Sequence, residues 1–195
     1  IINFFHFHIC FYVFYLVLKY YHYFINMRLF ALIILMNFVT LDSFAEEIRV
    51  PFNKENAKYW GYISDRTMGG ISNGQAFLDK DKNNIFARLT GNVSTENNGG
   101  FIQLRSTLSF LDISNHEKEL RGVRLKTKGN GETYHIFIRT SKTRSYSDFY
   151  YATFIANERW QIVDLPFNEF KHRFSNSVLD GNDIQTFGIV AYGRD

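Results

Sequence analysis

Apolar and polar residues alternate with a period of two in several short segments of this chain, which is typical of β-strands. In residues 123–126 the apolar side chains Val123 and Leu125 point to one face and Arg124 and Lys126 to the other, which predicts one buried and one solvated face. Because no long stretch has a helical period, the pattern predicts an all-β fold, an antiparallel β-sandwich. The predicted strands are residues 85–89, 101–105, 123–128, 134–140, 149–154, 160–165 and 187–191.

Turn signals separate these strands. Residues 129–131, Gly-Asn-Gly, predict a hairpin between the strands on either side, and the polar run 79–84 predicts another hairpin tip. Pro166 ends the strand before it because proline cannot donate to a β-ladder. Short helical turns are expected at residues 115–120 and 168–172.

Residues 27–45 have the three parts of a secretory signal peptide. Met27 and Arg28 form a positive start, residues 29–39 an apolar core, and residues 43–45, Ser-Phe-Ala, a cleavage site. This pattern predicts that a domain of residues 46–195 is exported to the periplasm or another extracytoplasmic space. An uncleaved membrane anchor is the alternative.

Residues 1–26 have an unusual composition, since Phe, Tyr and Ile account for 15 of them. We interpret this segment as translated upstream non-coding sequence, because the segment after it is a complete signal on its own. The other interpretation is a membrane helix over residues 1–18, a length of about 18 residues that is just sufficient to span a bilayer.

Charge and cysteine content narrow the range of partners. The formal net charge is +3, and residues 121–128 hold a basic cluster that suits a solvated strand face. No nucleic-acid motif occurs, so no nucleic-acid partner is expected. The single cysteine, Cys10, precedes the signal, so we expect the exported domain to depend on its apolar core rather than on disulfides.

Two glycine-rich motifs, residues 64–74 and 96–105, are the most unusual feature of the chain. Glycine pairs allow positive φ or a close backbone approach, so two such pairs predict loops that pack on each other or on a ligand. Two ordinary turns are the alternative. The glycines assigned this structural role are Gly69, Gly70, Gly99 and Gly100.

Polar and aromatic residues beside these glycines are the candidates for binding. Arg66 and Arg105 can each bind a carboxylate through two hydrogen bonds, and Asp65 is the expected partner of Arg105 if the loops meet. Such a pair would fix the loops together, which is the structural alternative to a partner surface. The candidate binding residues are Trp60, Asp65, Arg66, Ser72, Asn98 and Arg105.

Candidate catalytic chemistry is sparse. His116, His135 and His172 are far apart, without the spacing of a zinc site, and no serine lies in a nucleophile-elbow motif. Loop oxygens such as those of Asp65 or Asp79 suit a calcium ion, although a polar hairpin tip explains Asp79 more simply. We therefore expect no enzyme activity, no cofactor and no metal.

The two motifs resemble those of the complex I intermediate-associated protein 30 family, whose members carry Ser-Asp followed by Met-Gly-Gly-x-Ser-x-Gly, and then Asn-Gly-Gly-Phe before an arginine. Further similarities are Gly-Asn-Gly at residues 129–131, the aromatic run 149–154, Trp160 and Pro166-Phe167. The resemblance covers residue 52 to the end of the chain. It implies a galactose-binding-like β-sandwich of jelly-roll type. Family members continue through a Gly-Pro-Phe segment into a last strand, so the resemblance implies that this chain is truncated and lacks that strand.

The same resemblance implies an assembly factor for a respiratory NADH:ubiquinone oxidoreductase. Its partner would be a protein, namely a subunit of a membrane respiratory complex. Export would restrict this partner to the outward-facing side of a membrane. An extracytoplasmic carbohydrate-binding module, with a glycan as its partner, is the alternative function.

Overall fold

A computed structural model describes residues 48–50, 52–82, 84–111 and 120–193. The predicted upstream segment, residues 1–26, and the predicted signal, residues 27–45, lie outside the described residues, as does nearly all of the predicted turn at 115–120. The strands all belong to one compact unit, Ile48–Asp195.

The described residues form ten β-strands joined by loops and short 3-10 turns. The strands are β1 (Trp60–Ser64), β2 (Asn73–Asp81), β3 (Asn84–Asn92), β4 (Phe101–Thr107), β5 (Gly122–Thr127), β6 (Thr133–Thr140), β7 (Tyr150–Ile155), β8 (Gln161–Pro166), β9 (Lys171–His172) and β10 (Ile184–Tyr192). The 3-10 turns are Ala57–Tyr59, Asp65–Met68, Glu96–Asn98, Leu108–Phe110, Phe167–Glu169 and Gly181–Asp183. Within these described ranges there is no α-helix, and hence none long and apolar enough to cross a membrane.

The strands pair antiparallel in three sheets. Six strands form one sheet in the order β1-β4-β10-β6-β7-β9, while β2 pairs with β3 and β5 pairs with β8. Every strand that the alternation predicts overlaps an observed strand, so the all-β, antiparallel prediction is confirmed.

The predicted hairpin at residues 129–131 is wrong, because β5 and β6 do not pair with each other. The Gly-Asn-Gly segment instead leads from one sheet to the other. Its backbone bonds to the segment that follows β7: Gly129 N–H donates to Asn157 O at 2.7 Å and Gly131 N–H to Ala156 O at 2.8 Å. A glycine turn signal shows where the chain bends, whereas strand partners are chosen by tertiary packing.

One face of the six-stranded sheet, here called the inner face, covers the main core. Ile136 and Ile138 of β6 are fully buried there, together with Phe154 and Phe187. Leu165 of β8 belongs to the same cluster, so the β5–β8 pair packs against this face. The β2–β3 pair lies over it too, since an added Cβ at Gly74 of β2 or Gly91 of β3 would contact the Ile102 side chain. The result is a two-layered β-sandwich.

The opposite face of the six-stranded sheet, the outer face, carries alternate residues of the same strands. On β6 these are His135, Phe137 and Arg139, which alternate with the inner residues Ile136 and Ile138 along the strand. A separate apolar cluster centred on Phe137 occupies this face. Residues 136–138 of β6 are therefore buried without interruption because each face of the sheet packs against its own apolar cluster.

Candidate functional site

The two glycine motifs meet at the carboxylate of Asp65. Asp65 follows β1 at the start of a 3-10 turn, and its side chain is fully buried. Its Oδ2 accepts hydrogen bonds from Gly100 N–H at 2.6 Å and Phe101 N–H at 3.2 Å, which are 35 and 36 residues away in sequence. Ser72 donates both its N–H, at 3.0 Å, and its hydroxyl to the same carboxylate. We call this set of hydrogen bonds the Asp65 network.

The Asp65 network determines the charge of its carboxyl group. Burial by itself would raise the pKa of Asp65, but the hydrogen bonds from Ser72, Gly100 and Phe101 together lower it below its ordinary value. Asp65 is therefore ionised at neutral pH, and four protein donors replace water around its charge.

The four glycines serve the network in two different ways. Gly69 and Gly100 have positive φ, 93° and 134°, which side-chain-bearing residues rarely adopt. Gly70 and Gly99 lie outside the positive-φ region but pack against Asp65. A Cβ at Gly99 would lie 2.6 Å from Asp65 Oδ2, and one at Gly70 would lie 2.8 Å from Asp65 Cβ. Each pair thus combines one glycine that is needed for its positive φ with one that allows close packing against Asp65.

Residues outside the two motifs complete the arrangement. Ser94 N–H donates to Ser72 Oγ at 3.0 Å, which ties the end of β3 to the first motif. Gly193 N–H donates to Gly100 O at 2.6 Å and connects β10 to the second motif. Neither Ser94 nor Gly193 carries a signal in the sequence, because each contributes only backbone groups to this arrangement.

Several candidate binding residues lie where a partner cannot reach them. Asp65 and Ser72 are fully buried in the network, so the prediction that they form part of a partner surface is corrected. Trp60 points to the inner side of the sheet, where its ring contacts Phe187 edge to face at 6.2 Å. It is a core residue of β1 rather than an exposed aromatic.

The predicted ion pair between Asp65 and Arg105 does not form. Arg105 belongs to β4, opposite Gly61 and Gly188, whereas the Asp65 carboxylate is already satisfied by the Ser72 and Gly100 donors. The motifs are adjacent as expected, but the contact between them is made by backbone N–H groups.

Arg66 and Asn98 lie on the surface beside the network. Between them the turn exposes two large apolar side chains, Met68 with 62% and Ile71 with 47% of its surface accessible. We call Arg66, Met68, Ile71 and Asn98 the exposed rim. Met68 and Ile71 carry no signal of this exposure in the sequence, because the fold alone decides whether an apolar residue within a glycine turn is exposed.

The described residues do not bring together side chains suited to a metal site. No group of three or more His, Cys, Asp or Glu side chains comes together among them. The Asp65 oxygens accept from N–H and O–H donors, which is unsuitable for a calcium ligand, and Asp79 pairs with Arg88 at 2.6 Å. His172 Nε2 lies 2.8 Å from Asp148, and burial lowers the pKa of His135.

Two solved structures share the fold. One is a family 11 carbohydrate-binding module from Clostridium thermocellum in complex with a β-1,3-1,4-mixed-linked tetrasaccharide, with a TM-score of 0.52 and 15% identity over 78% of this chain and 85% of that one. The other is the family 11 module of the cellulosomal cellulase Lic26A-Cel5E from the same organism, with a TM-score of 0.50 and 15% identity over 78% and 84%. At this identity the likeness shows a shared β-sandwich fold only.

Comparison with curated proteins finds no match. The model of the family described as complex I intermediate-associated protein 30, however, matches residues 50–195, which include every described strand. The chain therefore belongs to the complex I intermediate-associated protein 30 family.

Proposed function

We propose that this domain is a non-enzymatic binding domain that acts as an assembly or chaperone-like factor for a membrane respiratory complex. Membership of the family carries the proposal, because the family is named for association with intermediates of complex I. The proposed partner is a protein subunit of such a complex. Export through residues 27–45 would place the contact on the outward-facing side of the membrane.

The exposed rim is the proposed contact surface. Arg66 and Met68 are of the types enriched at protein interfaces, and they project from a turn whose base is held by the Asp65 network. A turn that is already ordered loses little conformational entropy when a partner binds. Loops held by a rigid β-scaffold are also the usual location of recognition residues.

Capture of membrane proteins tests this proposal. The tagged full chain would be expressed in its source cells, crosslinked in membranes and purified, and the co-purifying subunits identified by mass spectrometry. We expect Arg66→Ala and Met68→Ala to reduce the capture of respiratory subunits while the melting temperature stays unchanged. Lys80→Ala, an exposed change on β2 away from the rim, is the matched control.

The alternative role of these loops is purely structural. In that case Arg66→Ala would lower the melting temperature and the remaining folded protein would still capture its partner. Capture that is equal in all three variants with unchanged melting would exclude the rim as the contact surface.

A carbohydrate-binding module is the second candidate function. The observation in its favour is the pair of tyrosines on the outer face, since the partly buried Tyr151 and the exposed Tyr192 can provide ring surfaces for sugars. Calorimetry with a mixed-linked β-glucan tests it directly. Saturable binding that Tyr151→Ala abolishes, without any membrane-protein capture, would replace the assembly role with glycan binding.

A further inference from the structure

The outer face contains a second candidate site, away from the glycine motifs. We infer that Arg105 and Arg139 form a carboxylate-binding site there that receives an acidic side chain of a polypeptide partner. This inference rests on the proposed function, since it specifies the chemistry of the partner, and it adds a contact surface that the exposed rim does not include.

The strand register brings the two arginines to either side of β10. Arg105 of β4 lies opposite Gly188, and Arg139 of β6 lies opposite Thr186, two residues along the same strand. Both side chains point to the outer face, because residues directly opposite each other in adjacent antiparallel strands share a face. Gly188 has no side chain, and the Gln103 side chain packs close to it: a Cβ at Gly188 would lie 3.0 Å from Gln103 Oε1.

Several polar groups around Arg139 on the outer face have no hydrogen-bond partner. Arg139 Nη2 donates to Tyr146 O at 2.6 Å, but Arg139 Nε and Nη1 are shielded from solvent and have no hydrogen-bond partner. The acceptor Gln103 Oε1 and the hydroxyl of Thr186, on the same face, are also buried and unpartnered. Buried polar groups are nearly always hydrogen-bonded in folded proteins, so this concentration of unsatisfied groups indicates that a ligand completes them.

The local charge favours an anion. Burial and the neighbouring positive charge of Arg105 lower the pKa of Arg139 to about 10, so Arg139 remains cationic at neutral pH. The Asp148 carboxylate attracts Arg139, but it also accepts from Arg144 N–H at 3.0 Å and lies 2.8 Å from His172. A ligand carboxylate between the two arginines would remove the repulsion between them.

The same groups favour a polypeptide over a neutral sugar. A guanidinium binds a carboxylate through two parallel hydrogen bonds, whereas neutral hydroxyls would leave the repulsion between the two arginines uncompensated. Phe149 stacks on Phe137 with ring centroids 4.0 Å apart, and the Arg139 guanidinium lies 5.6 Å from the Phe149 ring. This apolar floor suits the methylene groups of a glutamate, while Gln103 Oε1 can accept a peptide N–H.

Fluorescence anisotropy with the full chain tests the inference. The probe is a labelled short peptide of alternating Glu and Ala, and the matched peptide has Gln in place of Glu. We expect the Glu peptide alone to bind, and Arg105→Gln and Arg139→Gln each to weaken this binding by about tenfold or more, since each removes hydrogen bonds to a charged group. Arg124→Gln, which removes the same charge from β5 in the other layer, should bind like the unchanged chain.

Thermal melting distinguishes binding from a structural role for Arg139. If the charge of Arg139 is kept for a ligand, Arg139→Gln leaves the melting temperature unchanged or raises it, because the substitution removes the desolvation cost of a partly buried charge. A large fall in melting temperature for both arginine variants would assign them to the fold instead.

Three peptide results would overturn the inference: no binding of the Glu peptide, equal binding of both peptides, or an equal loss in Arg124→Gln. Saturable binding of a mixed-linked β-glucan that Arg139→Gln abolishes, with no peptide binding, would overturn it in favour of a glycan site. If peptide binding fails while rim-dependent capture of respiratory subunits persists, the proposed function stands and only this inference falls.

Discussion

At the scale of single residues, Asp65 has the largest predicted effect on stability. Asp65→Asn replaces one acceptor oxygen with an amide donor, so at least one N–H of the network loses its partner in a buried position. We expect the free energy of unfolding to fall by about 3 kcal/mol or more, measured by urea denaturation. Asp79→Asn, in an exposed pair with Arg88, is the matched control and should change stability far less.

The lowered pKa of Asp65 also predicts a dependence of stability on pH. Its contribution should be fully present above the ordinary pKa of an aspartate, about 4, and should be lost as the pH falls through the lower value of the folded state. The Asp65→Asn variant should lack this acid-dependent part, as followed by unfolding curves at several pH values. Parallel pH profiles for the variant and the unchanged chain would contradict this role of Asp65.

Alanine substitutions of the glycines beside Asp65 should reduce the stability of the domain by different amounts. Gly70→Ala and Gly99→Ala should each cost more than about 2 kcal/mol, because the added methyl group overlaps the Asp65 side chain. Gly69→Ala has open space around it and should cost about 1 kcal/mol through its positive φ. Gly61→Ala, with open space and no positive φ, is the control. Equal melting temperatures across the series would refute this account.

At the scale of elements, the connection between the layers depends on Gly129. A Cβ at this position would lie 2.9 Å from the backbone O of Ala156, which cannot move away without disturbing the end of β7. Gly129→Ala should therefore destabilise the domain by about 1–3 kcal/mol in thermal or urea unfolding. Lys128→Ala, an exposed change one residue earlier, should have almost no effect; a similar loss in both variants would show that the contact with Ala156 is unimportant.

At the scale of the whole molecule, export remains a prediction from residues 27–45. Expression with the native leader, followed by N-terminal sequencing of the extracytoplasmic fraction, should give a chain that begins at Glu46. Full-length protein in the cytoplasm would argue against export, and full-length protein in the membrane would favour the uncleaved anchor. The result also decides which side of a respiratory complex the domain can contact.

The sequence by itself determined the family and most of the strands, although β1, β2 and β9 were not among those predicted. Period-two alternation depends only on neighbouring residues, so β4, β6 and β10 were predictable, and so was the antiparallel sandwich that they build. The two glycine motifs identified the family without any knowledge of their contacts. Local patterns carry this information because a strand must present one face to the core wherever it lies in the sheet.

Only the tertiary structure decided which groups meet. Asp65 contacts Gly100 N–H across 35 residues, and this donor is a backbone group that no side-chain pattern reveals. Arg105 and Arg139 become neighbours only because β10 lies between β4 and β6, an order set by the packing of the whole sheet. For the same reason Trp60, a plausible surface aromatic in the sequence, is a core residue in the fold: its exposure depends on what the other strands place above it.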